Sequence, residues 1–177
     1  MIKFYGRTNE QYRFLSNFYP AEIHIDGLVV PTTEHYYQAM KTLDPDEREA
    51  ILNAPTPGKA RRLGNKCTLR DDWDSVVGTE ALHKLFSDDN GIVVESVKDH
   101  LMCTALTCKF TQHPDLRDAL LLTGSEELVE DSPTDHYWGI GRDGTGKNKL
   151  GRMLMLIRNS LRRAMEYPPN RPTPNDV

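Results

Sequence analysis

The chain has 177 residues, 38% of them hydrophobic and 27% charged, a composition typical of one globular domain that excludes a wholly disordered protein. The formal net charge of −4 argues against non-specific binding to duplex nucleic acid, because such binding needs a basic footprint. No apolar run approaches the roughly 20 residues of a membrane span, and the three cysteines lack disulfide-framework spacing and fit reduced thiols. We therefore expect a compact, cytoplasmic protein without membrane association.

The N-terminal part predicts short strands that lead into a helix. Residues 2–5 are β-like, and residues 14–20 are aromatic and polar and end at a proline, as in an ordered loop. Apolar and polar residues alternate in residues 22–30 around Asp26 and Gly27, a pair that is a strong turn signal. A β-hairpin is therefore predicted directly before the first long helix.

That helix is the most informative stretch, and Thr32 or Thr33 is available as its N-cap. Four polar or ionisable residues follow the i, i+3, i+4, i+7 rule and share one face: Glu34, Tyr37, Gln38 and Lys41. On spacing alone, a solvated face with weak ion pairing is favoured. The aromatic ring among the polar groups indicates the other interpretation, which is the wall of a pocket.

The rest of the chain predicts further helices and one short strand. The strand is expected at residues 128–130. The short helix predicted over residues 58–63 is expected to end at Gly64. The fold class is therefore mainly α with a small β portion (α+β), in one compact domain over residues 1–166. A tail with four prolines, residues 167–177, is expected to be extended or flexible. The remaining helices are predicted over residues 45–52, 58–63, 81–86, 93–110, 116–123 and 150–165.

A glycine-rich loop precedes the last helix. Its glycines let backbone amides approach a ligand, and a helix N-terminus favours anions. Residues 141–147 match most of a phosphate-binding P-loop, but Asn148 stands where a Ser or Thr would hold magnesium, which argues against a nucleotide triphosphatase. Trp138 can stack on a base or sugar, whereas a structural turn is the ordinary alternative.

Asp135 can supply a second carboxylate beside Glu34. Two carboxylates, or a carboxylate and an amine, are what cleavage through an oxocarbenium-like state requires. From the residues alone, Asp135 is equally well a turn or cap residue.

A zinc site is not predicted. His100, Cys103, Cys108 and His113 lie on one predicted helix or at its end, but the helical rotation between them keeps the four side chains from converging. Buried thiols and surface histidines account for them better.

Eight short motifs, spread in order along the chain from residue 14 to residue 151, together resemble the NADAR (YbiA-like) family of N-glycosidases. The resemblance implies a mainly helical fold with a little β structure and a hydrolase that needs no cofactor or metal. Members act on N-glycosidic bonds to ribose, in phosphorylated riboflavin-pathway intermediates or in ADP-ribose attached to guanine. The matching motifs are FLSNF at 14–18, TEHYYQAMK at 33–41, ARRLG at 60–64, RDDW at 70–73, KF at 109–110, LLTG at 121–124, WGIG at 138–141 and NKLG at 148–151.

The resemblance also implies roles. Glu34 would activate water or stabilise the sugar cation, and Asp135 would act as acid or base. Lys41 would either anchor phosphate or attack the opened anomeric carbon to form a Schiff base. Asn148 and the glycine loop would hold phosphate. The expected substrate-binding residues are Phe14, Ser16, Asn17, Tyr37, Gln38, Arg61, Lys66, Trp73, Trp138, Gly139, Gly141, Asn148 and Gly151.

The expected partner is an ADP-ribosyl or phosphoribosyl small molecule. Whether the adduct sits on a free nucleotide or on RNA or DNA is left open, as are the leaving base and the oligomeric state. The alternative function is a non-catalytic ADP-ribose-binding module that uses the same pocket.

Overall fold

The computed structural model describes residues 1–6, 9–79 and 86–166. It confirms a mainly helical chain with a small β portion. Within these residues, the helices are α1 Thr33–Ala39, α2 Pro45–Leu52, α3 Pro57–Gly64, α4 Val97–Gln112, α5 Pro114–Leu122 and α6 Lys149–Glu166. The strands are β1 Ile2–Phe4, β2 Ile23–Ile25, β3 Leu28–Val30, β4 Ser87–Asp88, β5 Gly91–Ile92 and β6 Leu128–Glu130.

The described strands pair two by two. β1 runs parallel to β6, with Phe4 opposite Glu130, so the first strand pairs in one sheet with a segment far along the chain. β2 and β3 are antiparallel and joined by Asp26 (φ 51°) and Gly27 (φ 75°). Both turn residues are left-handed, as a two-residue hairpin turn requires, and the predicted hairpin is confirmed.

The central helix α4 begins four residues later than the predicted start at residue 93. Its first turn is capped by Asp99, whose Oδ2 accepts hydrogen bonds from the backbone amides of Glu95 (3.2 Å) and Ser96 (3.3 Å). Val93 and Val94 are buried in non-helical backbone, so apolar spacing extended the prediction beyond the helix. The Ser-x-x-Asp pattern marks the start better than periodicity does.

A buried lysine joins α4 to the loop after the 3₁₀ turn Glu10–Leu15. Lys109 is fully buried, and its Nζ donates to the carbonyl oxygens of Phe14 (2.6 Å) and Ser16 (2.9 Å). Burial lowers the pKa of Lys109 to about 7. The lysine therefore fixes the start of the predicted ordered loop against the core.

Gly64 belongs to the last turn of α3, where it packs against α1. A Cβ at this position would overlap Oε1 of Gln38 and lie 2.9 Å from the Cβ of Gln38. The absence of a side chain lets the two helices approach, and Asn65 forms the C-cap. The predicted helix end is confirmed, but the glycine acts through interhelical packing.

The tail 167–177 and residues 81–85 of the predicted helix 81–86 lie outside the described residues. Within the described ranges, no helix is both long and apolar enough to cross a bilayer.

Candidate active site

A cavity of about 340 Å³ lies between α1, α3, the loop that follows the 3₁₀ turn, and the segment after β6. Segments distant in sequence meet there because α1 packs on α3 and α4, and β6 pairs with β1. The lining brings together nine of the residues predicted from sequence: Ser16, Asn17, Glu34, Tyr37, Gln38, Lys41, Arg61, Asp135 and Trp138.

The face of α1 predicted from helical spacing is buried against this cavity. Thr32 caps the helix by accepting a hydrogen bond from the amide of His35, and the amide of Glu34 donates to the carbonyl of Asn17 at 3.1 Å. All seven residues of α1 are buried, and Glu34 is 5% exposed. The interpretation as a solvated face is therefore wrong, and the interpretation as a pocket wall is confirmed.

The Glu34 carboxylate has one hydrogen-bond donor and two nearby cations. Gln38 Nε2 donates to Glu34 Oε1 at 2.8 Å. Burial raises the pKa of Glu34, whereas this hydrogen bond and the charges of Arg61 and Lys41 lower it. Burial is the largest of these effects and the pKa of Glu34 is raised overall, so its polar neighbours offset only part of the preference for the neutral acid.

Lys41 lies one helical turn beyond Tyr37 and is half-buried. Its Nζ donates to Asn65 Oδ1 at 3.3 Å and lies 5.6 Å from the centre of the Tyr37 ring. Burial lowers the pKa of Lys41, and the carboxylate of Glu34 raises it. A lower pKa increases the fraction of neutral amine, which is the nucleophilic form.

Two carboxylates reach the cavity from the segment that includes and follows β6. Asp135 Oδ1 accepts hydrogen bonds from the amides of Tyr137 (2.9 Å) and Trp138 (2.8 Å), so it caps a turn and also lines the cavity. The interpretation of Asp135 as a turn cap is confirmed, and its role as a second carboxylate in catalysis stays a prediction. Glu130, the last residue of β6, is the second carboxylate, and burial raises its pKa to about 8.

Sequence reasoning missed Glu130, along with the polar lining residues Asn65 and Ser132. The prediction treated residues 128–130 only as a strand. The available signal was an acidic residue at the end of a short apolar strand, five positions before Asp135. Burying a carboxylate without a partner costs free energy, and such residues are concentrated at functional sites.

Aromatic rings form one side of the cavity. The Trp138 ring meets Tyr37 edge to face at a centroid distance of 5.4 Å, and Trp138 lines the cavity. Trp73 is buried and packs on the other side of Tyr37, at 5.2 Å. Trp138 is thus placed to contact a ligand, whereas Trp73 supports Tyr37 from behind.

Several predicted binding residues lie outside the lining. Phe14 is buried against Phe110, and Lys66 is exposed beyond the end of α3. The others are Trp73, which packs behind Tyr37, and the loop residues Gly139, Gly141, Asn148 and Gly151, which contact the protein backbone and side chains.

Most backbone amides of the glycine loop are hydrogen-bonded within the protein. The amide of Gly146 donates to the carbonyl of Ile140 at 2.8 Å, and that of Lys147 donates to the carbonyl of His136 at 2.8 Å. The amide of Asn148 donates to the carbonyl of Gly139 at 3.1 Å. Because these donors are already used, the loop is a structural clamp and differs from the predicted phosphate cradle.

Asn148 is the centre of this clamp. It adopts a left-handed conformation (φ 49°), and its side chain accepts from the amide of Glu130 at 3.0 Å and donates to the carbonyl of Leu128 at 2.9 Å. A Cβ at Gly151 would overlap the carbonyl oxygen of Leu128, and one at Gly139 would lie 2.7 Å from the carbonyl oxygen of Glu130. The predicted phosphate-binding residues therefore hold β6.

Among the described residues, no group of three or more His, Cys, Asp and Glu side chains is arranged to hold a metal ion. Of the four residues weighed as zinc ligands, Cys103 is buried, and His113 Nε2 is hydrogen-bonded to the carbonyl of Glu22 at 2.6 Å.

Comparison with known proteins gives a consistent result. A family model described as the NADAR domain matches residues 3–162. The chain is 40% identical to N-glycosidase YbiA of Escherichia coli K12 over 163 residues, covering 91% of this chain and 88% of that protein. It is 37% identical to an N-glycosidase of Nostoc punctiforme over 167 residues, covering 92% and 94%.

A chloroplastic riboflavin biosynthesis protein of Zea mays, PYRR, is 36% identical over 172 residues, which cover 91% of this chain and 25% of that longer protein. The NMR structure of E. coli YbiA matches this fold with a TM-score of 0.75 and 37% identity, covering 98% of this chain and 90% of that one. The single compact α+β fold is therefore shared with YbiA.

Proposed function

Because this chain belongs to the NADAR family, we propose that it is an N-glycosidase that hydrolyses the bond between a phosphorylated ribose and a nitrogenous base. The ribose is phosphoribosyl or ADP-ribosyl, and the leaving base is guanine or an intermediate of the riboflavin pathway. The names of the E. coli and Nostoc relatives support N-glycosidase activity, and the name of the maize relative supports a riboflavin-pathway substrate, whereas guanine as the leaving base is supported by the family resemblance of the motifs. The observation that carries the proposal is the convergence of Glu34, Lys41 and Asp135 on one cavity beside Trp138.

The two cations give the cavity a side suited to phosphate. Arg61 on α3 and Lys41, just after α1, both line the cavity. The Lys41 amine donates a hydrogen bond to Asn65 Oδ1, which also lines it. A phosphate bound there would leave the ribose against the carboxylates and the base against Trp138. Stacking on an indole is tolerant of base identity, which suits either leaving group.

Cleavage of an N-glycosidic bond builds positive charge on the ribose ring. The carboxylates of Glu34 and Asp135 lie on the cavity wall where such a cation would form, and a buried site strengthens their attraction to it. The C1′–N bond breaks with its electron pair moving to the base nitrogen. A water oxygen then bonds to C1′, and Glu34 takes the proton that this water loses.

Lys41 has a second possible use in the same chemistry. If the ribose ring opens, the neutral amine can attack C1′, expel the base, and form a Schiff base that water later hydrolyses. Burial lowers the pKa of Lys41 and so favours this form. Borohydride reduction during turnover separates the roles: a covalent ribosyl adduct on Lys41, absent in Lys41→Ala, identifies the nucleophile.

The proposal is tested with matched N-ribosyl substrates that differ only in the leaving base. We expect base release by the wild-type protein, loss of release in Glu34→Gln, and unchanged release in Lys66→Ala, because Lys66 is exposed and outside the cavity lining. Tight ADP-ribose binding by calorimetry with no turnover of any adduct would instead identify a binding module.

A further inference from the structure

We infer that Glu130 is the acid that protonates the leaving base, a role that rests on the proposed N-glycosidase function. Glu130 lines the same cavity as Glu34 and Asp135 and reaches it from β6, on the side of Asp135. Nothing in the chain's motifs pointed to it. The structure distinguishes the three carboxylates by their hydrogen bonds.

Two of the three carboxylates receive hydrogen bonds that favour the charged form. Glu34 accepts from Gln38, and Asp135 accepts from two backbone amides. Among the residues that the structure describes, no donor is hydrogen-bonded to the carboxylate of Glu130, although the residue is buried and only 7% exposed. Burial raises the pKa of Glu34 as well, but Glu34 has a donor in Gln38, whereas Glu130 has none among the described residues, so the surroundings of Glu130 favour a bound proton most.

The charges around Glu130 act in the same direction. After burial, the neighbouring carboxylates of Asp135, Glu34 and Asp131 raise its pKa, and only Arg61 lowers it. A neutral acid close to two anions can give up its proton when positive charge develops on the sugar between them, because that charge relieves the repulsion.

The backbone of Glu130 is held from both sides. Its amide donates to Asn148 Oδ1 at 3.0 Å, and its carbonyl accepts from the amide of Ile140 at 3.0 Å. Gly139 has no room for a Cβ beside that carbonyl. The clamp formed by the glycine loop therefore fixes the position from which the Glu130 side chain enters the cavity, which a proton donor requires.

The step balances as follows. The C1′–N bond breaks, its electron pair moves to nitrogen, and that nitrogen takes the proton of the Glu130 carboxyl group, so the base leaves as a neutral molecule. Water adds to C1′ and gives its proton to Glu34. The proton on Glu34 then passes to Glu130 through water in the cavity, which restores both groups.

Glu130→Gln keeps the size of the side chain and removes the transferable proton. We expect kcat on a neutral N-riboside such as ADP-ribosylated guanosine to fall about 10²–10⁴-fold, the usual range for a general acid, with little change in KM. On a pyridinium N-riboside the base leaves neutral without a proton, so the same variant should keep most of its activity. Glu127→Gln, an exposed carboxyl three residues earlier, is the matched control and should match the wild type on both substrates.

The wild-type protein supplies an independent readout. The rate on the neutral riboside should decline as pH rises through about 8, the pKa of Glu130. A rate on the neutral riboside that stays level through that pH overturns the assignment, as does an equal loss on both substrates in Glu130→Gln. If the wild type releases no base from any riboside, the proposed function fails first and the acid role fails with it; a Glu130→Gln variant as active as the wild type on the neutral riboside refutes the acid role alone.

Discussion

Replacing Gly64 by alanine tests how the fold supports Glu34. The new Cβ would overlap Gln38 Oε1 and lie 2.9 Å from Gln38 Cβ, so either α3 moves away from α1 or Gln38 leaves its position. Overpacking of this kind costs about 1–3 kcal/mol. Alanine returns about 1 kcal/mol of helix propensity. We therefore expect the free energy of unfolding to fall by up to about 2 kcal/mol, measured by urea denaturation.

The functional effect should exceed the loss of stability. If Gln38 moves, Glu34 loses the 2.8 Å hydrogen bond that favours its ionised form, and base release should slow in a folded protein. Gly58→Ala on the same helix is the control, because its Cβ meets no atom within 4 Å, and it should leave activity unchanged.

A double-mutant cycle checks the cause. In a Gln38→Ala background the Gly64→Ala change should cost less, because the overlap with Gln38 Oε1 is gone and only the close contact with the Cβ of residue 38 remains. Equal costs of Gly64→Ala in both backgrounds would refute the reasoning.

Three further predictions address separate groups. Lys109→Met removes the amine that donates to the carbonyl oxygens of Phe14 and Ser16, and the free energy of unfolding should fall by about 1–3 kcal/mol because these oxygens are left unpaired. KM should rise as well, because the loop that begins there lines the cavity. An unchanged free energy of unfolding together with an unchanged KM would contradict this. The pKa of Glu130 is about 8 in the folded chain and 4.5 in its unperturbed state, so the folded chain holds an extra proton between these values and loses stability as pH rises from about 5 to 8. Thermal denaturation at the two ends of this range should show a smaller loss of stability for Glu130→Gln than for the wild type. An identical pH dependence of the two proteins would refute this prediction. Trp138→Ala should raise KM roughly 10- to 100-fold from lost stacking, with Trp138→Phe intermediate; equal KM values would show that the indole does not contact substrate.

Local signals predicted much of the fold. The Asp26–Gly27 turn, the Thr32 cap and the short strand at residues 128–130 each depend on neighbouring residues, so they were readable from the chain. The start of α4 was predicted too early because buried apolar residues continue with helical spacing before the cap at Asp99.

The site was harder to predict where its residues act through long-range contacts. The face of α1 was identified by spacing, but whether it met solvent or a cavity depended on α3 and the segment after β6. The glycine loop resembles a phosphate cradle in sequence because glycine permits close approach, and only the tertiary structure shows that what approaches is the backbone of β6. Glu130 became visible as a functional residue only through that clamp.

The central claim is that Glu34 and Lys41 serve chemistry on a ribosyl bond, and base release in a single turnover tests it most directly. Excess protein is mixed with ADP-ribosylated guanosine or a phosphoribosyl riboflavin-pathway intermediate, and free base is followed by mass spectrometry. The account predicts release by the wild type on at least one of the two, with release abolished in both Glu34→Gln and Lys41→Ala although substrate still binds. Wild-type rates of release in both variants would contradict it.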